Sequence, residues 1–349
     1  MIKKIIIFLF LLLNAIIYKV HAQEVHNSQY YAMPLYLNPA NTGDSNYDLR
    51  SGLSVRNQWS TASVPFSAQY LYGDVKIPTK LIQRAWFGLG ISLLNDIAGD
   101  GINSRYGALS IGFHKLISRG DDLLLSGGIT TQIINKSVDY NNLNFAQEWV
   151  DSRFEKGVVG ELTGSSSMFY IDLSLGTKLT YYFNGNTFGL GFSASHINQP
   201  SESFYKLTNN LATKYSLYLE SEFWVAERQL KFEPSLVLDM QEGESYLMGG
   251  VNISKPFNIH RSKSLILGLW YRSVVEIIPV VGLEFNKFKF IASYDVPLYD
   301  MTYRRRGGFE ISVTYRTGYK NPIEQIRKYR FLKKQNIKRG AIPCPEFSN

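Results

Sequence analysis

Apolar and polar residues alternate along most of this chain. Phe169, Ile171, Leu173, Leu175, Thr177, Leu179, Tyr181 and Phe183 interleave with Tyr170, Asp172, Ser174, Gly176, Lys178, Thr180 and Tyr182. Successive side chains of a strand point to opposite faces, so this period predicts a strand with one apolar, aromatic-ended face and one polar face. The pattern recurs. Leu53 and Val55 alternate with Ser54 and Arg56; Tyr215, Leu217 and Leu219 with Ser216, Tyr218 and Glu220; Phe309, Ile311, Val313 and Tyr315 with Glu310, Ser312, Thr314 and Arg316. Fourteen strands are predicted, near 47–59, 66–77, 85–95, 104–115, 122–136, 168–183, 186–197, 213–225, 229–241, 245–254, 264–273, 277–286, 288–296 and 308–317.

A soluble sandwich would alternate in the same way. Three features favour a membrane barrel instead. The runs reach the roughly ten residues that a tilted strand needs to cross the hydrocarbon. The polar face carries glycines and unlike charges, as a filled or hydrated lumen would. That face also persists from run to run, and no run reads as a strand buried on both sides. The predicted fold is therefore all-β: a transmembrane antiparallel β-barrel of about 14 strands, an even count that suits bacterial barrels.

The connections sort by parity. Long links such as 137–167 and 198–212 follow odd strands, whereas Phe183-Asn184-Gly185-Asn186 is a tight turn after an even one. Outer-membrane barrels keep short turns in the periplasm and long loops outside. That rule places 137–167 at the exterior and both termini in the periplasm, with the link 255–263 longer than the rule favours.

Composition adds to this picture. The chain has 23 Tyr, 21 Phe and 28 Gly, with a mean hydropathy of −0.13. Membrane barrels are polar on average because only alternate residues meet lipid, while aromatic girdles enrich Tyr and Phe. The first residues set the compartment. Met1 to Lys4 is a basic start, Ile5 to Ile17 an apolar run broken only by Asn14, and Val20-His21-Ala22 a small-residue cleavage site. This predicts a signal peptide over 1–22, removed after Ala22. An N-terminal plug or leader segment then spans 23–46, the barrel 47–318 and a basic periplasmic tail 319–349.

Charge is uneven. The net charge is +8; residues 319–349 hold eight Lys and Arg against Glu324 and Glu346, a net +6, and Lys3, Lys4 and Lys19 add +3. The body is left at −1, which argues against nucleic acid as a partner and leaves the lipid bilayer as the surface the body meets. The single cysteine, Cys344, excludes an internal disulfide framework.

No catalytic or metal-binding constellation stands out. His26, His114, His196 and His260 are scattered, and there is no Gly-x-Ser-x-Gly elbow or phosphate-cradling loop. Gly88-Leu89-Gly90 and Gly189-Leu190-Gly191 read as strand glycines that relieve curvature. Asn95, Asp96, Asp100, Gly101 and Asn103 miss the EF-hand spacing and read as an acidic turn. Arg50, Arg56, Asp172, Lys178, Glu220, Glu222, Arg272, Glu284 and Glu310 all fall on the lumen face. They read either as a transport path or, preferably, as ion pairs filling a narrow barrel. The expectation is a protein with no enzyme activity, no metal and no cofactor.

Two flanking segments carry the most specific signals. In the first, Asn38 before Pro39 is restricted to extended geometry and Thr42-Gly43 permits a reversal, so a kinked segment capping the periplasmic mouth is expected. In the second, Asn321-Pro322-Ile323-Glu324 is a helix start. There Ile323, Ile326, Tyr329 and Leu332 make an apolar stripe beside Arg327, Lys328, Arg330, Lys333 and Lys334. A docking arm for a periplasmic protein is the preferred reading over a solvated overhang.

The stretch Ser28-Gln29-Tyr30, Pro34-Leu35-Tyr36, Asn38-Pro39-Ala40 and Gly43 resembles the opening of the PorP/SprF family of type IX secretion system membrane proteins. Arg56-Asn57-Gln58-Trp59, Leu94-Asn95-Asp96, Asn198-Gln199-Pro200 and Cys344-Pro345 extend the resemblance along the chain. Asn38-Pro39-Ala40 alone is also similar to the plug of outer-membrane fatty-acid transporters. The family resemblance implies a role in type IX secretion and gliding-type surface organisation in Bacteroidota. Its implied partners are a large secreted or surface-anchored adhesin-type cargo and the periplasmic ring and lipoprotein components of the machinery. The alternative is a channel for hydrophobic or small solutes.

Overall fold

The computed structural model of this protein describes residues 27–44, 47–58, 66–79, 81–99, 101–118, 120, 122–140, 149–150, 153–154, 165–204, 209–225, 229–257, 263–273, 276–298 and 307–318. The predicted signal peptide, the predicted tail with Cys344, and most of the predicted loop 137–167 lie outside the described residues.

The predicted strands are all present. They are β1 (Leu49–Gln58), β2 (Phe66–Pro78), β3 (Ala85–Ala98), β4 (Ile102–Leu116), β5 (Leu123–Asp139), β6 (Ser165–Phe183) and β7 (Asn186–Ser195). They continue as β8 (Lys214–Val225), β9 (Leu230–Gln241), β10 (Glu244–Pro256), β11 (Lys263–Arg272), β12 (Glu276–Phe285), β13 (Phe288–Tyr294) and β14 (Gly308–Thr317). Each pairs antiparallel with its sequence neighbours, and β1 closes on β14 from Leu49↔Thr317 to Gln58↔Gly308. Closure leaves no unpaired sheet edge, which a bilayer would not tolerate. One extra two-residue strand, Val296–Pro297, pairs with the start of β12 after the chain breaks from β13 at Asp295. A separate ladder of Trp149–Val150 with Arg153–Phe154 falls in the predicted long loop.

Alternation has the physical meaning expected of it. Outward positions are apolar and exposed, among them Leu53, Leu71, Ile91, Leu109, Ile133, Ile171, Leu219, Leu267 and Val281. Their strand neighbours, including Ser54, Tyr70, Ser110, Thr130, Asp172, Ser216, Ile266 and Ser312, are buried. An apolar exterior around a polar core suits lipid outside. No helix among the described residues is long and apolar enough to cross a membrane; the crossing is made by strands.

The barrel has two distinct mouths. At the first, where β1 begins and β14 ends, outward rings pair as Phe87/Phe113, Tyr181/Phe183, Phe188/Phe223 and Phe288/Tyr315, with centroids 5.1–6.1 Å apart. This is an aromatic belt of the kind found at a membrane interface. Tight turns close that mouth: Asn184-Gly185 (φ 48° and 86°) and Asn286 (φ 56°) adopt the left-handed conformation that two-residue hairpins require. At the far mouth β5 and β6 run to 17 and 19 residues. Since about ten suffice to cross, the surplus projects beyond the bilayer.

Candidate functional site

Residues 27–44 lie in the lumen as three short turns, Tyr30–Ala32, Pro34–Leu37 and Pro39–Asn41. Pro34 and Pro39 each start a turn, where the missing N–H is no loss and the fixed φ is already helical. Asn38 separates two turns in extended geometry (φ −157°), as the following proline demands. Its side chain accepts from Ala40 N (2.7 Å) and donates Nδ2 to the carbonyls of Thr177 on β6 and Phe192 on β7, each at 3.1 Å. One buried amide thus shapes the turn and ties it to the wall.

The segment is anchored at both ends. Toward the far mouth, Ser28 N donates to Glu310 (2.8 Å), and the Ser28 hydroxyl lies among Asp295, Arg56 and Arg272, the last donating at 2.7 Å. Gln29 Nε2 reaches Ser293 Oγ (2.9 Å) and the Glu310 carbonyl (3.0 Å). Toward the first mouth, Gly43 N donates to Asp74 (2.8 Å), which also accepts from Arg50 (2.9 Å), while Arg50 donates to the Asn41 carbonyl (2.9 Å). Gly43 has φ +72°, so only glycine sits there without strain. The Thr42 carbonyl accepts from His114 Nε2 (2.7 Å), whose Nδ1 meets Ser126 (2.8 Å). Asp44 pairs with Lys178 at 2.7 Å.

Between the anchors the contacts are apolar. Tyr30 and Tyr31 pack on Trp270, with centroids 5.6 and 5.5 Å apart, over a cluster of Tyr218, Val237, Met248, Ile278, Val280 and Ile291. Met33 and Leu35 pack on Tyr70, Tyr72 and Leu94, with Tyr36 alongside. Ser28, Gln29, Asn38, Ala40 and Thr42 are fully buried. At the far mouth two clefts remain, both bordered by Tyr36 and Lys214, whose ammonium lies 5.2 Å from the Tyr36 ring centroid.

The ten sequence-predicted residues of this segment, Ser28, Gln29, Tyr30, Pro34, Leu35, Tyr36, Asn38, Pro39, Ala40 and Gly43, are brought together inside the barrel. One expectation is corrected. The segment does not merely cap the mouth at which β1 begins; it runs the length of the lumen. Asn27 therefore lies toward the opposite end from Gly318. The reason is the ion cluster near the ends of β1, β11 and β13, which draws Ser28 and Gln29 across. The predicted tail residues lie outside the described residues.

The lumen charges pair, as preferred from the sequence: Arg50 with Asp74, Arg56 with Asp295 (2.6 Å) and Glu310 (3.4 Å), and Asp172 with His196 (3.0 Å). Lys178 meets Glu220 (2.6 Å), Lys231 meets Glu222 (3.6 Å), Arg272 meets Glu276 (2.6 Å), and Arg316 meets Glu284. Sequence reasoning missed Asp44, Asp74 and Asp295. Asp44 and Asp295 stand outside the regular strands, where alternation gives no face. Asp74 sits on the polar face of β2, so that signal was available. Among the described residues no cluster of His, Cys, Asp or Glu could hold a metal ion.

A family description, type IX secretion system membrane protein PorP/SprF, matches residues 19–315. The chain belongs to the PorP/SprF family. It is an outer-membrane component of type IX secretion. No curated protein matches its sequence. Among solved structures, a mutant of the TodX monoaromatic hydrocarbon channel is similar in fold, with a TM-score of 0.51 and 10% identity over 83% of this chain and 94% of that one. The Pseudomonas putida toluene transporter TodX (0.49, 11%, 84% and 94%) and a Pseudomonas aeruginosa FadL homologue (0.47, 10%, 82% and 94%) also match.

Asn38→Ala tests the energetics of this family segment. It removes three hydrogen bonds, each worth about 0.5–1.5 kcal/mol net, and should weaken seating of the segment by about 2 kcal/mol. The midpoint at which the barrel loses heat-modifiable migration should fall, and an unchanged midpoint would show that the Asn38 tether contributes nothing to seating.

Proposed function

We propose that this PorP/SprF protein is a non-enzymatic binding and coupling barrel, closed at rest. Exterior loops hold a large secreted or surface-anchored adhesin-type partner, and the basic tail docks periplasmic ring and lipoprotein components. The observation that carries this reading is the filled lumen. Residues 27–44 occupy it from one mouth to the other, and their anchors are specific charged and hydrogen-bonded contacts rather than the apolar or hydrated path that a transporter needs. The runner-up, a channel for hydrophobic or small solutes, draws on the fold shared with hydrocarbon channels and on the two clefts beside Tyr36. Affinity purification of the tagged protein from outer membrane separates the two: co-elution of a secreted partner and of ring components supports the binding reading, and their absence favours the channel.

Loop parity supports the orientation this function needs, with the far mouth outward. In a Cys344→Ser background, a cysteine replacing the exposed Asn209 should react with an impermeant maleimide on intact cells. A cysteine replacing Asn184, in the tight turn of the aromatic-belted mouth, should not. Labelling at Asn184 alone would invert the barrel.

A further inference from the structure

Four lumen-facing glycines stand side by side in neighbouring strands. Strand register pairs Gly88 of β3 with Gly112 of β4, Gly112 with Gly128 of β5, and Gly128 with Gly176 of β6. The row crosses the barrel wall at one level, and Asn38 to Thr42 lie directly on it. A Cβ built on Gly88 or Gly112 falls closer than 3 Å to the Thr42 carbonyl, one on Gly128 meets Pro39 and Ala40 N, and one on Gly176 meets the Asn38 side chain. None of the four has the left-handed φ that would demand glycine for the backbone itself. Glycine within a strand weakens it, so a row of four calls for a cause such as close backbone approach. Beside the row, Ser193, the register partner of Gly176, donates to the Leu37 carbonyl at 2.8 Å, and His114 donates to that of Thr42.

We propose that this glycine row is an intramolecular binding site for the Asn38–Thr42 turn, a latch that seats the N-terminal segment and whose loosening opens the barrel. The opening step rests on the closed-barrel reading above; the seating step does not. Recognition is by shape: main-chain atoms of the turn at Gly88, Gly112 and Gly128, and the Asn38 side chain at Gly176, fill the space that side chains would occupy, so one methyl group is enough to lift it.

Gly128→Ala and its neighbour Gly127→Ala make the test. Gly127 faces outward, with nothing nearer than 3.9 Å to a Cβ placed there. Both changes are made in the full chain and in a chain lacking residues 24–43, and amide exchange over 28–44 and conductance in planar bilayers are measured. Overpacking of this kind shifts an equilibrium by about tenfold or more. In the full chain Gly128→Ala should speed exchange of the segment by about that factor and raise conductance, while Gly127→Ala leaves both unchanged. In the deleted chain the two variants should behave alike, because no segment is left to displace. Faster exchange without conductance would uphold the seating step and overturn the opening step. Exchange at the wild-type rate in Gly128→Ala, or an equal loss of barrel stability with and without the segment, would show that the glycines serve the wall and would overturn the proposal. If Gly128→Ala does not assemble, Gly112→Ala carries the same comparison.

Discussion

Deleting residues 24–43 is expected to convert a barrel with little conductance into one that conducts steadily. The deletion removes both Tyr30 and Tyr31 from the Trp270 cluster, Met33 and Leu35 from the Tyr70 cluster, and the Asn38 tether to β6 and β7. It leaves the wall intact, because every strand pairing runs between wall strands and β1 begins only at Leu49. Glu310 loses Ser28, Asp74 loses Gly43, and Lys178 loses Asn41 (3.3 Å) while keeping Asp44. Each charged hydrogen bond is worth about 1.5–3 kcal/mol where it stays dry, but Glu310 keeps Arg56, Asp74 keeps Arg50, and Lys178 keeps Glu220. Water entering the emptied lumen solvates what remains. The folded barrel should therefore persist as a heat-modifiable species. A deleted protein that folds yet conducts no better than the full chain would show that residues 27–44 do not close the lumen. A large conductance in the intact protein would favour the channel.

Truncation after Gly318 should abolish coupling while sparing the barrel. The last strand completes its pairing with β1 at Thr317, so the wall needs nothing beyond it. Residues 319–349 carry a net +6, and their sequence is expected to form an N-capped helix with the Ile323, Ile326, Tyr329 and Leu332 stripe along it. The proposed partner of such a helix is an acidic periplasmic protein. Its Coulomb attraction would weaken with salt, while the stripe adds area that salt does not screen. The truncated protein should insert and remain heat-modifiable, yet no longer co-purify with ring components or support display of its cargo. Cys344→Ser alone should be nearly silent if docking, and not a disulfide, does the coupling. Wild-type display by the truncated protein would reduce the tail to an overhang.

What the sequence by itself determined is what depends on neighbours along the chain. Strand identity follows from a period of two that each run of about ten residues displays without help, so all fourteen strands and the lumen face carrying Arg56, Lys178 and Glu310 were legible. The kink at Pro39 and the reversal at Gly43 were legible for the same reason, since the backbone limits of proline and glycine are local. Tertiary structure alone decided the rest. Ser28 finds Asp295 and Glu310 more than 260 residues away, and nothing local to either announces the meeting. The direction of the segment through the barrel follows from that ion cluster, which forms only when β1, β11, β13 and β14 close. The glycines show the division most sharply. Gly88 reads alone as a strand glycine relieving curvature, and nothing local sets Gly112, Gly128 or Gly176 apart. They become a seat only when register aligns them across four strands, because register is set by pairing between distant segments and not by the composition of any one.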